Sequence, residues 1–348
     1  MHPIVLEDLQ AILGARLDWE RFRRKTVLVT GANGFLPAYM VETLLHLNVL
    51  TAMECHVICL VRNRLKAETR FAQYSGRSDL SFVVGNVSEG IPVNRRCDFV
   101  IHAASQASPK YYGRDPVGTM TANILGTYHL LNLARDWRSE GFLFFSSGEV
   151  YGHVPSEKIP TSETDYGYLD ILNPRSCYAE GKRAGETLTV SYTQQFGMPG
   201  VIVRPFHTYG PGMAMDDGRV YADFVSDVVN HRDITLHSDG KAVRAFCYLA
   251  DAVAGFFTVL LKGQTGQAYN IGNPHAMISI GDLAELLAHL SPDLALTVRR
   301  SARSGAGYLP SPVSVNSPNV DRAAALGWRP TFSVQEGFER TIRYFTER

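Results

Sequence analysis

Tyr178 and Lys182 stand four residues apart, Tyr178-x-x-x-Lys182, in a segment with helical spacing. On a helix an i,i+4 pair shares one face, so the phenol and the ammonium are neighbours. A free tyrosine has a pKa of about 10, and making it a base near neutrality takes roughly three units, about 4 kcal/mol. A nearby positive charge works in that direction. Upstream, the apolar run Phe144-Phe145 ends in Ser146-Ser147-Gly148-Glu149. Ser147 is placed to bond a substrate hydroxyl that Tyr178 deprotonates. Glu149 is either an acid/base or orienting group, or a surface carboxylate of the ordinary kind. A second cluster, Thr30-Gly31-Ala32-Asn33-Gly34-Phe35-Leu36-Pro37, follows an apolar strand-like run and opens a helix. Gly31 permits a tight turn and Gly34 a close backbone approach. The helix N-terminus then offers unpaired N–H groups and a positive dipole end to a pyrophosphate. Pro37 replaces the usual third glycine and is tolerated in a first turn, where its missing N–H has no partner to lose. The pattern points to a dinucleotide, and a nicotinamide cation would help Tyr178 ionise.

These groups need a scaffold that gathers strand ends. The expected strands are 26–30, 56–61, 81–84, 99–103, 142–146 and 201–204, with helical stretches near 35–48, 117–137 and 177–196 between them. Continuous apolar strands alternating with helices predict a parallel sheet covered on both faces, the doubly wound α/β class of Rossmann type. Residues 1–24 read as a helical extension laid over the body. A dinucleotide domain is expected over 25–205 plus about 245–272, with runs near 245–248 and 268–271 returning to the sheet. A smaller substrate domain would be built from about 206–244 and 273–348, with a proline-rich loop over 311–330 and a final helix over 334–345.

The chain has 348 residues, 34 Lys+Arg against 34 Asp+Glu, 45% apolar and 20% charged residues. That is an ordinary globular mix with no global field toward nucleic acid or an anionic membrane. No apolar run approaches 18 residues, so no membrane span is expected. The five cysteines are scattered with no CxxC, and the start, MHPIVLEDLQ, carries an acidic pair where a signal peptide is basic; a reducing cytoplasm is the expectation. The eleven histidines show no HxxxH-type spacing, so no metal is expected.

After the second strand the usual ribose-binding acid is missing, and the sequence reads Leu60-Val61-Arg62-Asn63. Arg62 either meets a 2′-phosphate, which leaves NADP open beside NAD, or stacks on adenine, or is simply solvated. Asn86 follows the third strand and can bond an adenine amine.

With His102-Ala103-Ala104, Asn123-x-x-Gly126-Thr127 and Arg204-Pro205-Phe206-x-x-Tyr209-Gly210-Pro211 added, the chain resembles the extended short-chain dehydrogenase/reductases that act on nucleotide sugars. Within them, Ala107-Ser108-Pro109-x-x-Tyr112, Pro174-Arg175-Ser176-Cys177-Tyr178-x-Glu180-Gly181-Lys182-Arg183, Met215-x-Asp217-Gly218-Arg219-Val220 and Arg244-Ala245-Phe246 are similar to the UDP-glucuronate decarboxylase branch. The resemblance implies Tyr178, Lys182, Ser147 and Glu149 as the catalytic set. It implies a cofactor site from Gly31, Asn33, Gly34, Phe35, Leu36, Arg62, Asn86, Val87, Ala103, Ala104, Ser105, Asn123, Ser146 and Pro205, with Tyr178 and Lys182. It implies a substrate site from Ser108, Tyr112, Glu149, His207, Arg219 and Arg244. The 4,6-dehydratases of the family place an Asp-Glu pair after the Ser/Thr; here Gly148 stands in the Asp position. Gly212, where an Arg often follows Gly-Pro, and His207, in place of the usual Asn, are further departures. The implied activity is oxidation at sugar C4, decarboxylation and re-reduction with a recycled NAD. The alternatives are a 4-epimerase, a 4,6-dehydratase, an NADP-dependent keto-sugar reductase, or a non-catalytic dinucleotide sensor. The resemblance also implies a homodimer through the helices near 117–137 and 177–196.

Overall fold

In the computed structural model residues 1–301 and 314–347 are described. Its main sheet comprises β1 (Thr26–Thr30), β2 (His56–Val61), β3 (Leu80–Val84), β4 (Phe99–His102), β5 (Gly141–Phe145), β6 (Gly200–Pro205) and a late strand, Ala268–Ile271, all parallel, in the order β3-β2-β1-β4-β5-β6 and then that late strand. In the inner strands successive residues face opposite cores, while the edge strand β3 is half-buried and ends in the exposed Val84. Val27, Val29, Phe99, Ile101, Leu143 and Phe145 bury on one side, and Leu28, Val100, Phe142, Phe144 and Ile202 on the other.

The helices are α1 (Pro3–Leu13), α2 (Phe35–Thr51), α3 (Arg64–Arg70), α4 (Pro109–Tyr112), α5 (Pro116–Trp137), α6 (Cys177–Phe196), α7 (Val220–Val229), α8 (Leu249–Lys262), α9 (Ile280–His289), α10 (Asp321–Ala325) and α11 (Val334–Thr346). α2 and α8 cover one face, α5 and α6 the other. α1 lies on α2 and α8, as a cover should. Its buried Asp8 accepts from Tyr39, Tyr248 and Arg340, tying the extension to α2, to the strand before α8 and to α11.

The minor strands are β7 (Thr208–Tyr209), β8 (Ile234–Leu236), β9 (Val243–Ala245), β10 (Cys247–Tyr248), β11 (the late main-sheet strand Ala268–Ile271), β12 (Met277–Ser279), β13 (Val298–Arg300) and β14 (Val315–Asn316). Two expectations change here. Residues 245–248 do not return to the main sheet: β10 pairs in parallel with β7, and β9 lies between β12 and β14. Burial drives the apolar character of Phe246-Cys247-Tyr248, but in a side layer against α11. The stretch read as loop after 311 contains β14 and α10; its first residues, 311–313, lie outside the described residues. No helix among the described residues is long and apolar enough to cross a membrane.

Chain order reverses between β1 and β4, which lie side by side with Thr30 opposite His102. His102 is level with Phe144, and Phe145 with Val203, so the C-terminal ends of β1, β4, β5 and β6 form one rim. In open α/β sheets such a switch point is where the crevice opens.

Candidate active site

A cavity of about 280 Å³ opens on that rim. Gly31, Gly34, Phe35, Leu36 and Pro37 form its β1–α2 wall, and Ala103, Ser105 and Ala107 follow β4. Phe145 to Glu149 come from the end of β5, Tyr178 and Lys182 from α6, Pro205 to Thr208 from the end of β6, and Tyr112, Arg219, Tyr221 and Asn316 close the far side.

Gly31 sits at φ +63, and a Cβ there would lie 2.9 Å from Ala104 Cα. Gly34 is the extended N-cap of α2. The turn thus presents bare backbone to the cavity at the positive end of a helix, the arrangement that suits a phosphate. Two buried polar atoms beside it, Ser105 Oγ and Asn123 Oδ1, have no protein partner. Buried polar groups are rarely left so, and both fit a bound polar ligand such as a dinucleotide. Gly31→Val is expected to reduce NAD affinity about tenfold or more, since a branched residue at positive φ costs of order 1–3 kcal/mol. Titration calorimetry checks this; an unchanged affinity would remove the turn from the cofactor site.

The loop 103–105 is held by a buried chain of hydrogen bonds. Ala104 N donates to Thr30 Oγ1 (3.1 Å). His102 lies 2.9 Å from Thr30 Oγ1 through Nδ1 and 3.1 Å from Thr127 Oγ1 through Nε2. Thr127 in turn donates to the Asn123 carbonyl (2.5 Å). With that hydroxyl committed, Nε2 carries the proton and Nδ1 accepts from Thr30. Burial, with Lys182 adding to it, holds His102 neutral by pushing it down to about 3.

α6 comes close enough to serve the site because Gly181 and Gly185 lie on its inner face. A Cβ at Gly185 would fall 2.3 Å from Phe144 Cζ, and one at Gly181 3.1 Å from Asn123 Cβ. Lys182 Nζ therefore reaches the Phe145 carbonyl at 2.6 Å. It stands 5.7 Å from the Tyr178 ring centre. Burial draws Lys182 down to about 7, against the pull of Glu186. Tyr112 stacks on Tyr178 with centroids 5.1 Å apart. The expected lowering of Tyr178 is not what the protein alone supplies. Burial pushes it up to about 12, the Ser147 hydrogen bond and Arg219 pull it back, and Glu149 adds to the rise. Glu149 lies 3.7 Å from the Arg175 guanidinium, at the mouth of the site.

The far wall is stitched between two loops. Ser108 Oγ donates to the Asp217 carbonyl (2.5 Å), and Arg219 binds Asp217 Oδ2 (2.5 Å) and the Ala107 carbonyl (3.0 Å). His207 lines the cavity and is held neutral near 3, by burial first and then by Arg244 and Arg219.

Several expected residues stand back from the lining. Arg62 is exposed just past the end of β2, near enough to Asp115 to act on its carboxylate, and is not part of the cavity lining. Asn86 caps its own turn, accepting from Ser88 N and donating to Glu89. Val87 is buried against Gly126, and its carbonyl meets His129. Asn33 and Ala104 flank the lining, and Ser108 ties it. Arg244 lies behind His207, donating to the Val243 and Ser314 carbonyls. The residues not foreseen include Pro109, Phe145, Phe206, Thr208, Tyr221 and Asn316. Asn316 comes from β14, set beside Arg244 by pairing with β9, and nothing local in the sequence signals that approach.

Residues 27–272 match the model of the NAD dependent epimerase/dehydratase family. UDP-glucuronic acid decarboxylase 1 of Xenopus tropicalis is 31% identical over 326 residues, covering 92% of this chain and 72% of the relative. UDP-glucuronic acid decarboxylase 6 of Arabidopsis thaliana is 32% identical over 314 residues, covering 89% and 86%. Among solved structures, UDP-glucuronic acid 4-epimerase from Bacillus cereus, in complex with UDP-glucuronic acid and NAD, superposes with a TM-score of 0.75 at 24% identity, covering 92% of this chain and 99% of that one, and so shares the fold. A match that takes in the glycine turn, the Tyr178–Lys182 helix and the last main-sheet strand makes the chain an NAD-using enzyme of the NAD dependent epimerase/dehydratase family.

Proposed function

We propose that this enzyme decarboxylates UDP-glucuronate by oxidising the sugar at C4, releasing the C6 carboxylate as carbon dioxide and reducing the 4-ketone again. One observation carries the choice within the family: Ser147 and Glu149 line the cavity with Tyr178, but position 148 between them is a glycine and supplies no acid. A Cβ on Gly148 would lie 3.2 Å from two carbons of the Phe206 ring. The aspartate that serves a departing 6-hydroxyl in dehydratases is thus missing, and the Phe206 ring would have to shift by a few tenths of an ångström to admit any side chain there. The similarity to the decarboxylases over most of the chain supports the same reading.

Tyr178 Oη takes the proton from the 4-hydroxyl, with Ser147 holding the same hydroxyl in place. NAD, when bound, accepts the C4 hydride, returns it at the end, and adds the positive charge that brings Tyr178 from about 12 toward neutrality. The 4-ketone lies β to the carboxylate and receives the electron pair released when the C5–C6 bond breaks. Glu149 is the carboxyl group placed to deliver a proton to C5. Tyr178 finally returns its proton to the C4 oxygen. Arg219 on the cavity wall and Arg244 back from it, the two charges that help hold His207 neutral, supply the positive field for the diphosphate. The half built on the main sheet holds the dinucleotide, and the segments about 206–244 and from 273 onward hold the nucleotide sugar.

A homodimer through α5 and α6 belongs to this reading, supported by Val117, Leu125, Tyr128 and Val190, which are exposed apolar residues on those two helices. So does a cytoplasmic location, since all five cysteines are buried free thiols.

The test is mass spectrometry of UDP-glucuronate incubated with the protein and NAD. The expected product is lighter by one carbon dioxide. An unchanged mass at a new chromatographic position, loss of water, or unreacted substrate would each overturn the reading.

A further inference from the structure

α6 is fastened to the end of β5 at two consecutive residues. Lys182 Nζ donates to the Phe145 carbonyl at 2.6 Å, and one turn later Glu186 Oε1 accepts from Ser146 Oγ at 2.5 Å. Glu186 is gripped from behind: Arg204 Nε donates to Oε1 (2.8 Å) and Nη2 to Oε2 (2.6 Å). Arg204 is 2% exposed and is fixed in turn by the Tyr151 hydroxyl (2.8 Å) and the Glu163 carbonyl (2.9 Å). The reaction sequence gives this ion pair no task. Burying such a pair is a poor way to gain stability, because desolvation offsets the attraction.

We propose that Glu186 is a positioning residue for the catalytic lysine: backed by Arg204 and bonded to Ser146, its carboxylate stands one turn from Lys182 on the same face of α6 and keeps it an ammonium beside the end of β5. The proposal rests on the reading that Tyr178 and Lys182 work as a pair. The charges alternate Arg204, Glu186, Lys182, so the lysine is the last cation in a row anchored in the core. The titratable and charged groups that face Lys182 are neutral His102 from β4, Tyr178 and Glu186 from α6, and Arg204 from β6 behind Glu186. Of these, Glu186 is the one that opposes the burial that strips the ammonium of its proton. Without it Lys182 becomes neutral at lower pH, and Tyr178 loses the cation beneath its ring.

Glu186→Gln keeps the shape and removes the charge. Lys182 lines the cavity, so its titration is readable without substrate, as the pH dependence of acetylation by acetic anhydride followed by peptide mass spectrometry. The midpoint for Lys182 is expected to fall by roughly one pH unit. The alkaline limb of UDP-glucuronate turnover should move the same way. Glu186→Asp, which keeps the charge, is expected to fall between wild type and E186Q, and it decides alone if E186Q does not fold. A Lys182 midpoint equal to wild type in the folded variants overturns the proposal. A lowered midpoint in a protein whose wild type leaves UDP-glucuronate unreacted supports it and sinks the decarboxylase reading instead.

Discussion

Tyr178→Phe is expected to slow UDP-glucuronate turnover about 10²–10⁴-fold, the usual contribution of a positioned acid/base, and to leave NAD binding near wild type. The change removes one oxygen and keeps the ring. Tyr112 still stacks on it at about 5.1 Å, and the buried volume is unchanged. What disappears is the atom that takes the 4-hydroxyl proton and later returns it. Ser147 stays near the substrate hydroxyl, and a serine hydroxyl is far too weak an acid to replace the phenol. Single-turnover kinetics with calorimetry for NAD separate the two effects. Turnover within tenfold of wild type would show that Tyr178 is not the base, whatever its place in the motif.

Arg204→Met should cost about 3–5 kcal/mol of folding stability, because it removes one partner of a buried pair and leaves the other charged. Typical domains have about 5–15 kcal/mol in total, so urea denaturation should show a large drop in midpoint. The loss is not confined to Glu186. The Tyr151 hydroxyl and the Glu163 carbonyl also lose a donor, and both belong to a buried cluster with Asn270, whose backbone N–H meets Glu163 Oε1. Replacing Arg204 and Glu186 together by apolar residues should recover much of the loss, since no orphaned charge then remains. A midpoint for Arg204→Met close to wild type would mean that water reaches Glu186 and that the pair is not sealed in the core.

The main strands were legible because both of their faces are dry, and runs such as Val27-Leu28-Val29 and Phe142-Leu143-Phe144 say so directly. The same rule misplaced Phe246-Cys247-Tyr248: an apolar run reports burial but not which layer it joins. α10 was hidden because the few residues from Asp321 to Ala325 are too short for a periodic signal. The glycine turn and the Tyr178–Lys182 pair were visible because each is local in sequence. Arg204 with Glu186 was not, because 18 residues and a change of element separate the partners, and neither type by itself announces an ion pair. Gly185 carries no local signal, although its lack of a Cβ is what lets α6 come down on Phe144.

The bond between Asp8 and Arg340 joins the first helix to the last, and the rings of His2 and Tyr344 lie 4.9 Å apart beside it. The beginning and the end of the described chain are therefore neighbours, on the side of α2 and α8. A peptide linking them, with a new opening cut in an exposed turn, would leave every pairing of the parallel sheet as it is and change only the order in which its strands are made.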